Sequence, residues 1–195
     1  MNAPEEKMVF LTGKKVILRP INKEKDLPRI TKWVNDPEVR QFISLDFPSL
    51  KEDEEKWFEK QIGSKENVVL AIETAEEGNL VGLIGLHGIH WQQRTATTGA
   101  LIGEKDYWSK GYGTDAKMIL LDYAFNTLNL RKICSSVISF NHRSLNYSLR
   151  CGYKIEGRRK KQFFKNGRYY DEVLLALFKK DWIAAWGEYQ NKRSK

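Results

Sequence analysis

Cysteine and long apolar runs are both scarce in this chain. Cys134 and Cys151 are the only cysteines, and they match no metal-binding spacing, so we expect free thiols in a reducing, cytoplasmic compartment. No apolar run approaches the roughly 20 residues that a membrane helix needs. The first ten residues lack the basic start and apolar stretch of a secretory signal. These absences argue against membrane, zinc-binding and disulfide-stabilised proteins.

The chain also lacks linkers and internal repeats. No Pro/Gly/Ser-rich segment divides its 195 residues, so we expect one domain over residues 1–195. Apolar residues make up 41% and charged residues 30%, the balance of a globular protein. The formal charge of +8 favours anionic partners. Part of this excess lies in residues 157–161 and in a basic C-terminal tail at about 190–195, where a solvated surface is the simpler interpretation.

Hydrophobic periodicity predicts elements in the order β-αα-βββ-α-β-α-ββ-α. The first strand is expected near residues 15–21, and the helices after it are broken around Asn35–Pro37. The strongest helical pattern runs from Ala116 to Leu128, and an Asn-Gly turn at residues 166–167 joins the last two strands. This order predicts an α/β (α+β) domain in which a mixed, mostly antiparallel sheet of about seven strands carries helices on both faces.

The segment "YWSKGYGTDA", residues 107–116, places two glycines where a helix is about to begin. The first N–H groups of a helix have no partner inside it, and with the helix dipole they suit a phosphate group. Gly111 and Gly113 let the main chain approach an anion closely, Lys110 adds charge, and Thr114 can cap the helix or donate its hydroxyl. The spacing matches neither a dinucleotide fingerprint nor a Walker loop. A tight turn followed by a helix cap is an equally good interpretation of this segment taken alone.

The wider context resembles the GNAT superfamily of N-acetyltransferases. "YWSKGYGTDA" is similar to the cofactor loop of that family, and "NHRSLNYSLRCGYKIEG" is similar to its Asn-x-x-Ser…Gly-aromatic…Glu-Gly motif. "VILRP", "WVNDPEV" and "YYDEVLLALFKKDW" extend the resemblance over nearly the whole chain. The pattern is most similar to the branch that acetylates ribosomal-protein N-termini, and to its spermidine and amino-sugar relatives.

The resemblance implies acetyl-CoA as co-substrate and no metal. Main-chain amides of residues 109–114 would hold the CoA diphosphate, and a splayed strand near residues 101–103 would pair with pantetheine. Asn141 would contact the pantetheine arm, with Ser144 as its motif companion or a helix cap. The implied cofactor-binding residues are Leu101, Ile102, Gly103, Ser109, Lys110, Gly111, Tyr112, Gly113, Thr114, Asn141 and Ser144.

The catalytic positions depart from the family pattern. Trp108 stands where many members have Gln or Arg, and Ser148 stands where many have the tyrosine that protonates the CoA thiolate. Ser148 is the candidate hydrogen-bond donor to the sulfur, because Tyr147 is rotated from it by about 100° on a helix. Glu104 and Asp171 are the candidate bases that would deprotonate the amine.

The expected activity is acetyl transfer from acetyl-CoA to a primary amine. A protein N-terminus and a polyamine, amino sugar or aminoglycoside remain alternative acceptors. The carboxylates of residues 50–60 could attract a polyamine or form a solvated helix face. A homodimer is possible, and nucleic-acid contact is expected only through a ribosomal substrate. The alternative from another class is a non-catalytic CoA-binding or RNA-associated module.

Overall fold

The structure of the protein, a computed structural model, describes residues 8–191. Most of the basic tail expected at about 190–195 therefore lies outside the described residues. The strands are β1 (Leu11–Thr12), β2 (Val16–Pro20), β3 (Val68–Thr74), β4 (Leu80–His90), β5 (Thr95–Ile102), β6 (Lys132–Ile138), β7 (Lys154–Lys165) and β8 (Arg168–Phe178). The helices are α1 (Lys23–Asn35), α2 (Pro37–Arg40), α3 (Lys51–Gln61), α4 (Tyr112–Asp122), α5 (His142–Arg150) and α6 (Lys179–Asn191). A π-type turn at Tyr123–Thr127 continues α4.

The described strands form one sheet in the order β1-β2-β3-β4-β5-β6-β8-β7. Neighbours are antiparallel except β5 and β6, which run parallel. The predicted mixed, mostly antiparallel sheet is thus confirmed. The described residues contain eight strands instead of about seven, because the two residues of β1 are too few to show an alternating pattern.

Helices cover both faces of the sheet because alternate strand residues point to opposite sides. Leu70 and Ile72 of β3 belong to a core that includes the buried residues of α4, whereas Ala71 packs with Leu27, Ile30 and Trp33 of α1. The predicted helices on both faces are therefore confirmed. The sheet is the layer that holds the two cores together.

Two short sequence signals determine where the chain changes direction: Asp36 between α1 and α2, and the Asn-Gly turn between β7 and β8. Asp36 ends α1, since its N–H donates to Trp33 O (3.1 Å), and it caps α2 by accepting from Glu38 N (2.8 Å). In the predicted Asn-Gly turn, Asn166 and Gly167 both have positive φ (50° and 77°), as a tight hairpin requires. The turn brings β7 back along β8.

The segment after α2 meets the β7–β8 hairpin. Lys165 Nζ donates to Ile43 O (3.1 Å) and to Asp46 Oδ1 (2.8 Å). Two parts of the chain more than 100 residues apart are joined in this way. Together they form one border of the cleft described below.

A buried charge cluster joins β2, β3 and α1. The Arg19 guanidinium donates to both oxygens of Asp26 (2.7 and 2.9 Å) and to Glu73 (2.6 Å). Asp26 is 2% exposed and Glu73 6%. Because these carboxylates are buried, the arginine cation is needed to offset the loss of their hydration.

Candidate active site

The sheet opens between its two parallel strands. β5 and β6 pair only over Thr95–Thr97 and Lys132–Cys134, yet β5 stays paired with β4 as far as Ile102 and β6 with β8 as far as Ile138. The unpaired halves diverge and leave a cleft of about 940 Å³. A cleft of this volume is large enough for an extended cofactor. The predicted splay of the sheet is confirmed.

The cofactor loop lies at one end of this cleft. Ser109 and Gly111 have positive φ (61° and 90°), and α4 starts at Tyr112 with Gly111 as its N-cap. Asp115 N donates to Gly111 O (2.9 Å), so the N–H groups of the three preceding residues are left without an intrahelical acceptor. Thr114 is the third residue of the helix and does not cap it. These amides at the positive end of α4 form a ready anion site.

Most of the implied cofactor-binding residues line the cleft. Those on its wall are Leu101, Ile102, Ser109, Gly111, Gly113, Thr114, Asn141 and Ser144. Gly103, Lys110 and Tyr112 are not among the lining residues. Gly103 and Tyr112 were expected to contribute their backbone, whereas Lys110 was also expected to contribute its charge, and its side chain is exposed and not part of the cleft wall.

Gly103 and Tyr112 are accounted for by packing. A Cβ on Gly103 would lie 2.0 Å from Cδ2 of the Trp33 indole, so packing against α1 alone requires a glycine at this position. The Tyr112 ring packs edge-on against Tyr107, with centroids 4.9 Å apart. The Lys110 side chain is exposed, while its carbonyl accepts from Lys15 Nζ (3.1 Å).

Asp115 connects the loop to the N-terminal part of the chain. Its Oδ2 accepts from the backbone N–H groups of Lys14, Lys15 and Val16 (2.9, 2.8 and 3.0 Å), and its Oδ1 accepts from the Tyr189 hydroxyl (2.8 Å). Lys14 and Lys15 both line the cleft as a result. Their charges suit a phosphorylated ligand. Lys14 and Lys15 could not be predicted as cleft residues, because their contact with Asp115 spans about 100 residues.

Asn141 caps α5 and lines the cleft. Its side-chain oxygen accepts from Ser144 N (3.0 Å), so Asn141 is the cap and Ser144 supplies the capped N–H. Arg143 and Arg150 of the same helix also line the cleft. Neither arginine was singled out from the sequence, although Arg143 lies within the Asn-x-x-Ser motif and Arg150 follows it on the same helix.

Ser148 does not reach the cleft. It is fully buried on the inner side of α5, and its hydroxyl lies 3.5 Å from Lys117 Nζ. Tyr147 lines the cleft instead, with its ring 4.4 Å from the Lys117 ammonium. The Tyr153 ring lies 4.9 Å from the same ammonium, and its hydroxyl lies 2.9 Å from Thr98 Oγ1. The geometry therefore offers no support for Ser148 as a donor to the CoA sulfur.

The two candidate bases also lie away from the cleft. Glu104 accepts from Trp33 Nε1 (3.1 Å) and lies 3.6 Å from Arg29, on the α1 side of β5. Asp171 accepts from Lys161 N (3.0 Å), and this hydrogen bond lowers the pKa of its carboxyl. Neither residue is part of the cleft wall. Each carboxylate is already engaged by a neighbouring donor.

A cation stacked on an aromatic ring connects the two walls of the cleft. The Arg143 guanidinium of α5 lies 3.9 Å from the centroid of Trp108, and partial burial lowers the pKa of Arg143. Trp108 Nε1 donates to Ile102 O (2.6 Å). The position that holds Gln or Arg in many GNAT members thus binds a strand carbonyl here. The consequence is an aromatic surface beside the splayed strand.

Neither a metal site nor a membrane segment was found in the described part of the chain. Residues 8–191 contain no group of three or more His, Cys, Asp or Glu side chains that could hold a metal ion. None of the helices within that range is long and apolar enough to cross a membrane.

Comparison with known proteins identifies the family. The model of the "Acetyltransferase (GNAT) domain" matches residues 15–154. The spermidine N(1)-acetyltransferase of Escherichia coli (strain K12) is 26% identical over 169 residues, 87% of this chain and 89% of that protein. YdaF of Bacillus subtilis (strain 168), named as a candidate ribosomal N-acetyltransferase, is 32% identical over 106 residues, 54% of this chain and 57% of that protein.

A solved structure has the same fold. The crystal structure of spermidine N-acetyltransferase from Vibrio cholerae in complex with CoA and spermine superposes with a TM-score of 0.80 and 26% identity, covering 87% of this chain and 98% of that one. The family expected from the cofactor-loop and Asn-x-x-Ser motifs is confirmed, since the family model spans well over half of the chain. The chain belongs to the GNAT acetyltransferase family, whose co-substrate is acetyl-CoA.

Proposed function

We propose that the protein transfers the acetyl group of acetyl-CoA to a primary amine, which attacks the thioester directly. The observation that supports this most is the coincidence of two features in one cleft. A helix N-terminus with Lys14 and Lys15 beside it lies at one end, and the splayed strands β5 and β6 form the walls. The helix amides suit the diphosphate, and the unpaired edge of β5 suits the amides of the pantetheine arm.

Positioning supplies most of the catalysis in this proposal. Holding the amine and the thioester together in one cleft replaces a bimolecular encounter, which is worth several kcal/mol, on the order of 7–11 in ideal cases. A β5 main-chain N–H beyond Thr97, where pairing with β6 stops, is the proposed donor to the developing oxyanion. No metal is required for either contribution.

We assign the proton donor to Tyr147. Tyr147 is next to Ser148, the position where many family members have the proton-donating tyrosine. Its side chain lines the cleft, whereas Ser148 is buried. Tyr147→Phe is expected to lower turnover and leave the Kd for CoA unchanged. Ser148→Ala is the matched control and should change turnover little. A Tyr147→Phe variant with full turnover contradicts this role.

Water is the proposed acceptor of the amine proton. Asp115 is the carboxylate on the described cleft wall, and its oxygens already accept from three backbone N–H groups and a tyrosine. The rate should then rise with pH up to the pKa of the acceptor amine, near 10 for an alkyl amine and about 8 for an α-amine. A pH profile that is the same for both kinds of amine would point to a protein base instead.

A thiol-release assay with mass spectrometry tests the activity. Purified protein, acetyl-CoA and a panel of primary amines should give CoA thiol and an N-acetylated product in equal amounts. Calorimetry with CoA is run in parallel. Tight CoA binding without turnover of any amine would support the non-catalytic module, and salt-sensitive RNA binding would support its RNA-associated form.

Variants at Asn141 test its proposed contact with the pantetheine arm. Asn141→Ala removes both the α5 cap and the side-chain amide, whereas Asn141→Ser keeps a capping oxygen and loses the amide. We expect each variant to lose more affinity for acetyl-CoA than for the amine acceptor, and an equal loss of both affinities would contradict the pantetheine contact. Recovery of full CoA affinity in Asn141→Ser would assign this residue to capping alone.

Location and assembly are further parts of this proposal. Cys134 and Cys151 form no disulfide, which supports the proposed cytoplasmic location. The exposed edge strand β7 offers a surface for the proposed homodimer. Size-exclusion chromatography with light scattering tests the dimer.

A further inference from the structure

One part of the cleft wall is apolar and aromatic. We name it the acceptor end and define it by Val39, Phe42, Ile43, Ile138 and Phe163, all of which line the cleft. These residues come from the segment around α2, from β6 and from β7. Three separate parts of the sequence therefore combine to form one apolar surface.

Aromatic contacts extend this surface behind the lining residues. The ring centroids of Phe42 and Phe140 are 5.8 Å apart, and those of Phe140 and Tyr170 are 4.6 Å apart. Tyr170 is the cross-strand partner of Phe163. Phe42 also packs edge-on against Trp108, at 6.3 Å. Such a wall favours a ligand with a large apolar group.

The charged groups beside the acceptor end are cations or neutralised carboxylates. The Arg143 guanidinium lies 5.3 Å from the centroid of Phe42, and Lys165 Nζ bonds to Ile43 O. Asp46 pairs with that lysine at 2.8 Å, and Glu38 pairs with Lys105 at 2.9 Å. No carboxylate is among the described residues of the acceptor end, so a polycation entering here would meet like charge.

The acidic helix α3 does not supply the missing carboxylates. Glu55 and Glu59 face Lys23 (4.0 and 3.2 Å), and Glu54 accepts from the Ser49 hydroxyl (2.5 Å). No residue of α3 lines the cleft. The carboxylates of residues 50–60 therefore belong to the helix surface and its contact with α1.

We propose that the acceptor is a primary amine on a large apolar or aromatic group, with a carbonyl or carboxylate oxygen next to the amine and no second positive charge. This inference rests on the proposed acetyl transfer. The apolar group packs on Phe42 and Phe163, and the neighbouring oxygen is bound by the Arg143 guanidinium. A hydrophobic amino acid and the N-terminus of a peptide with an apolar first residue share this chemistry.

Four acceptors in one thiol-release assay test the proposal. They are free phenylalanine, a tripeptide starting with phenylalanine, the same tripeptide starting with alanine, and spermidine. The phenylalanine peptide should exceed the alanine peptide and spermidine in kcat/KM by about tenfold or more, the scale of one large apolar group in a pocket. The ratio of kcat/KM for free phenylalanine to that for the phenylalanine peptide shows whether the acceptor is an amino acid or a peptide N-terminus.

Matched variants assign the selectivity to the acceptor end. Phe163→Ala should lower kcat/KM for the phenylalanine acceptor about tenfold, with the Kd for CoA unchanged. Phe164→Ala is the control, because Phe164 is 58% exposed, packs on Tyr169 and does not line the cleft. Arg143→Gln should reduce the preference for phenylalanine over phenethylamine, which lacks the neighbouring oxygen.

The outcomes separate this inference from the proposed function. Spermidine as the best acceptor, or equal rates for the phenylalanine and alanine peptides, would overturn the acceptor class and leave acetyl transfer standing. No turnover of any amine, with CoA bound, would overturn acetyl transfer and this inference with it.

Discussion

Gly111 and Gly113 lie two residues apart in the cofactor loop but are required for different physical reasons. Gly111 has φ of 90°, and a Cβ placed on it would meet no heavy atom within 4 Å. The cost of Gly111→Ala is therefore conformational only. A left-handed backbone costs an ordinary residue about 1–2 kcal/mol. For a domain of this size that cost lowers Tm by about 2–8 °C.

Gly113 lies in the first turn of α4, where a side chain is well tolerated. A Cβ there would lie 3.6 Å from Ile102 Cγ1, an ordinary contact. Gly113→Ala should leave stability unchanged or raise it by about 0.5–1 kcal/mol, as expected for alanine in a helix. The added methyl group lines the cleft where the diphosphate must approach. Overpacking of about 1–3 kcal/mol predicts that the Kd for CoA rises about 5- to 150-fold.

Thermal unfolding without ligand and calorimetry with CoA measure the two effects. We expect a lower Tm for Gly111→Ala, and an undiminished Tm with weakened CoA binding for Gly113→Ala. Gly111→Asn is the control, because asparagine tolerates the left-handed region better than alanine. An unchanged Tm in Gly111→Ala, or an unchanged Kd in Gly113→Ala, refutes the reasoning for that glycine.

Three further predictions concern buried titratable groups. Arg19→Met should cost about 3–5 kcal/mol in urea unfolding, because the buried Asp26 carboxylate loses the guanidinium that donates to both of its oxygens, and a cost below about 1 kcal/mol would contradict this. Burial lowers the pKa of His87 in the folded protein, so as the pH falls the unfolded chain binds the proton at a higher pH than the folded one. Acidification from pH 7 to 5 therefore lowers the free energy of unfolding. His87→Gln should therefore lose less stability over that range than the unmodified chain, and equal losses would contradict this. Burial raises the pKa of Cys151 to about 11, so about one thiol in a thousand is ionised at pH 8. In a Cys134→Ser background the Cys151 thiol should therefore react with DTNB at least about 100-fold faster in urea than in buffer. A fast reaction in buffer would contradict the burial of Cys151.

Local patterns were enough to predict the sheet, the helices and the cofactor loop. Helix and strand periodicity, the Asn-Gly turn and the break at Asp36 are each determined within a few residues. The two residues of β1 were missed because they are added to the sheet by pairing with β2 alone. The glycines of the loop could be interpreted for the same reason, since a helix start and a positive φ are local properties.

Orientation of side chains could not be predicted in the same way. Ser148 and Tyr147 are neighbours on α5, and only the packing of that helix against Lys117 decides which one faces the cleft. Gly103 was interpreted as a site of close ligand approach, but its neighbour is the indole of Trp33, 70 residues earlier. Non-local contacts of this kind leave no periodic signal in the chain.

A crystal structure of the protein with CoA bound would show directly whether the α4 amides hold the diphosphate. We expect the diphosphate oxygens to lie about 3 Å from the N–H groups of residues 112–114, with the pantetheine arm between β5 and β6. CoA bound at another surface, or a diphosphate held away from these amides, would contradict it.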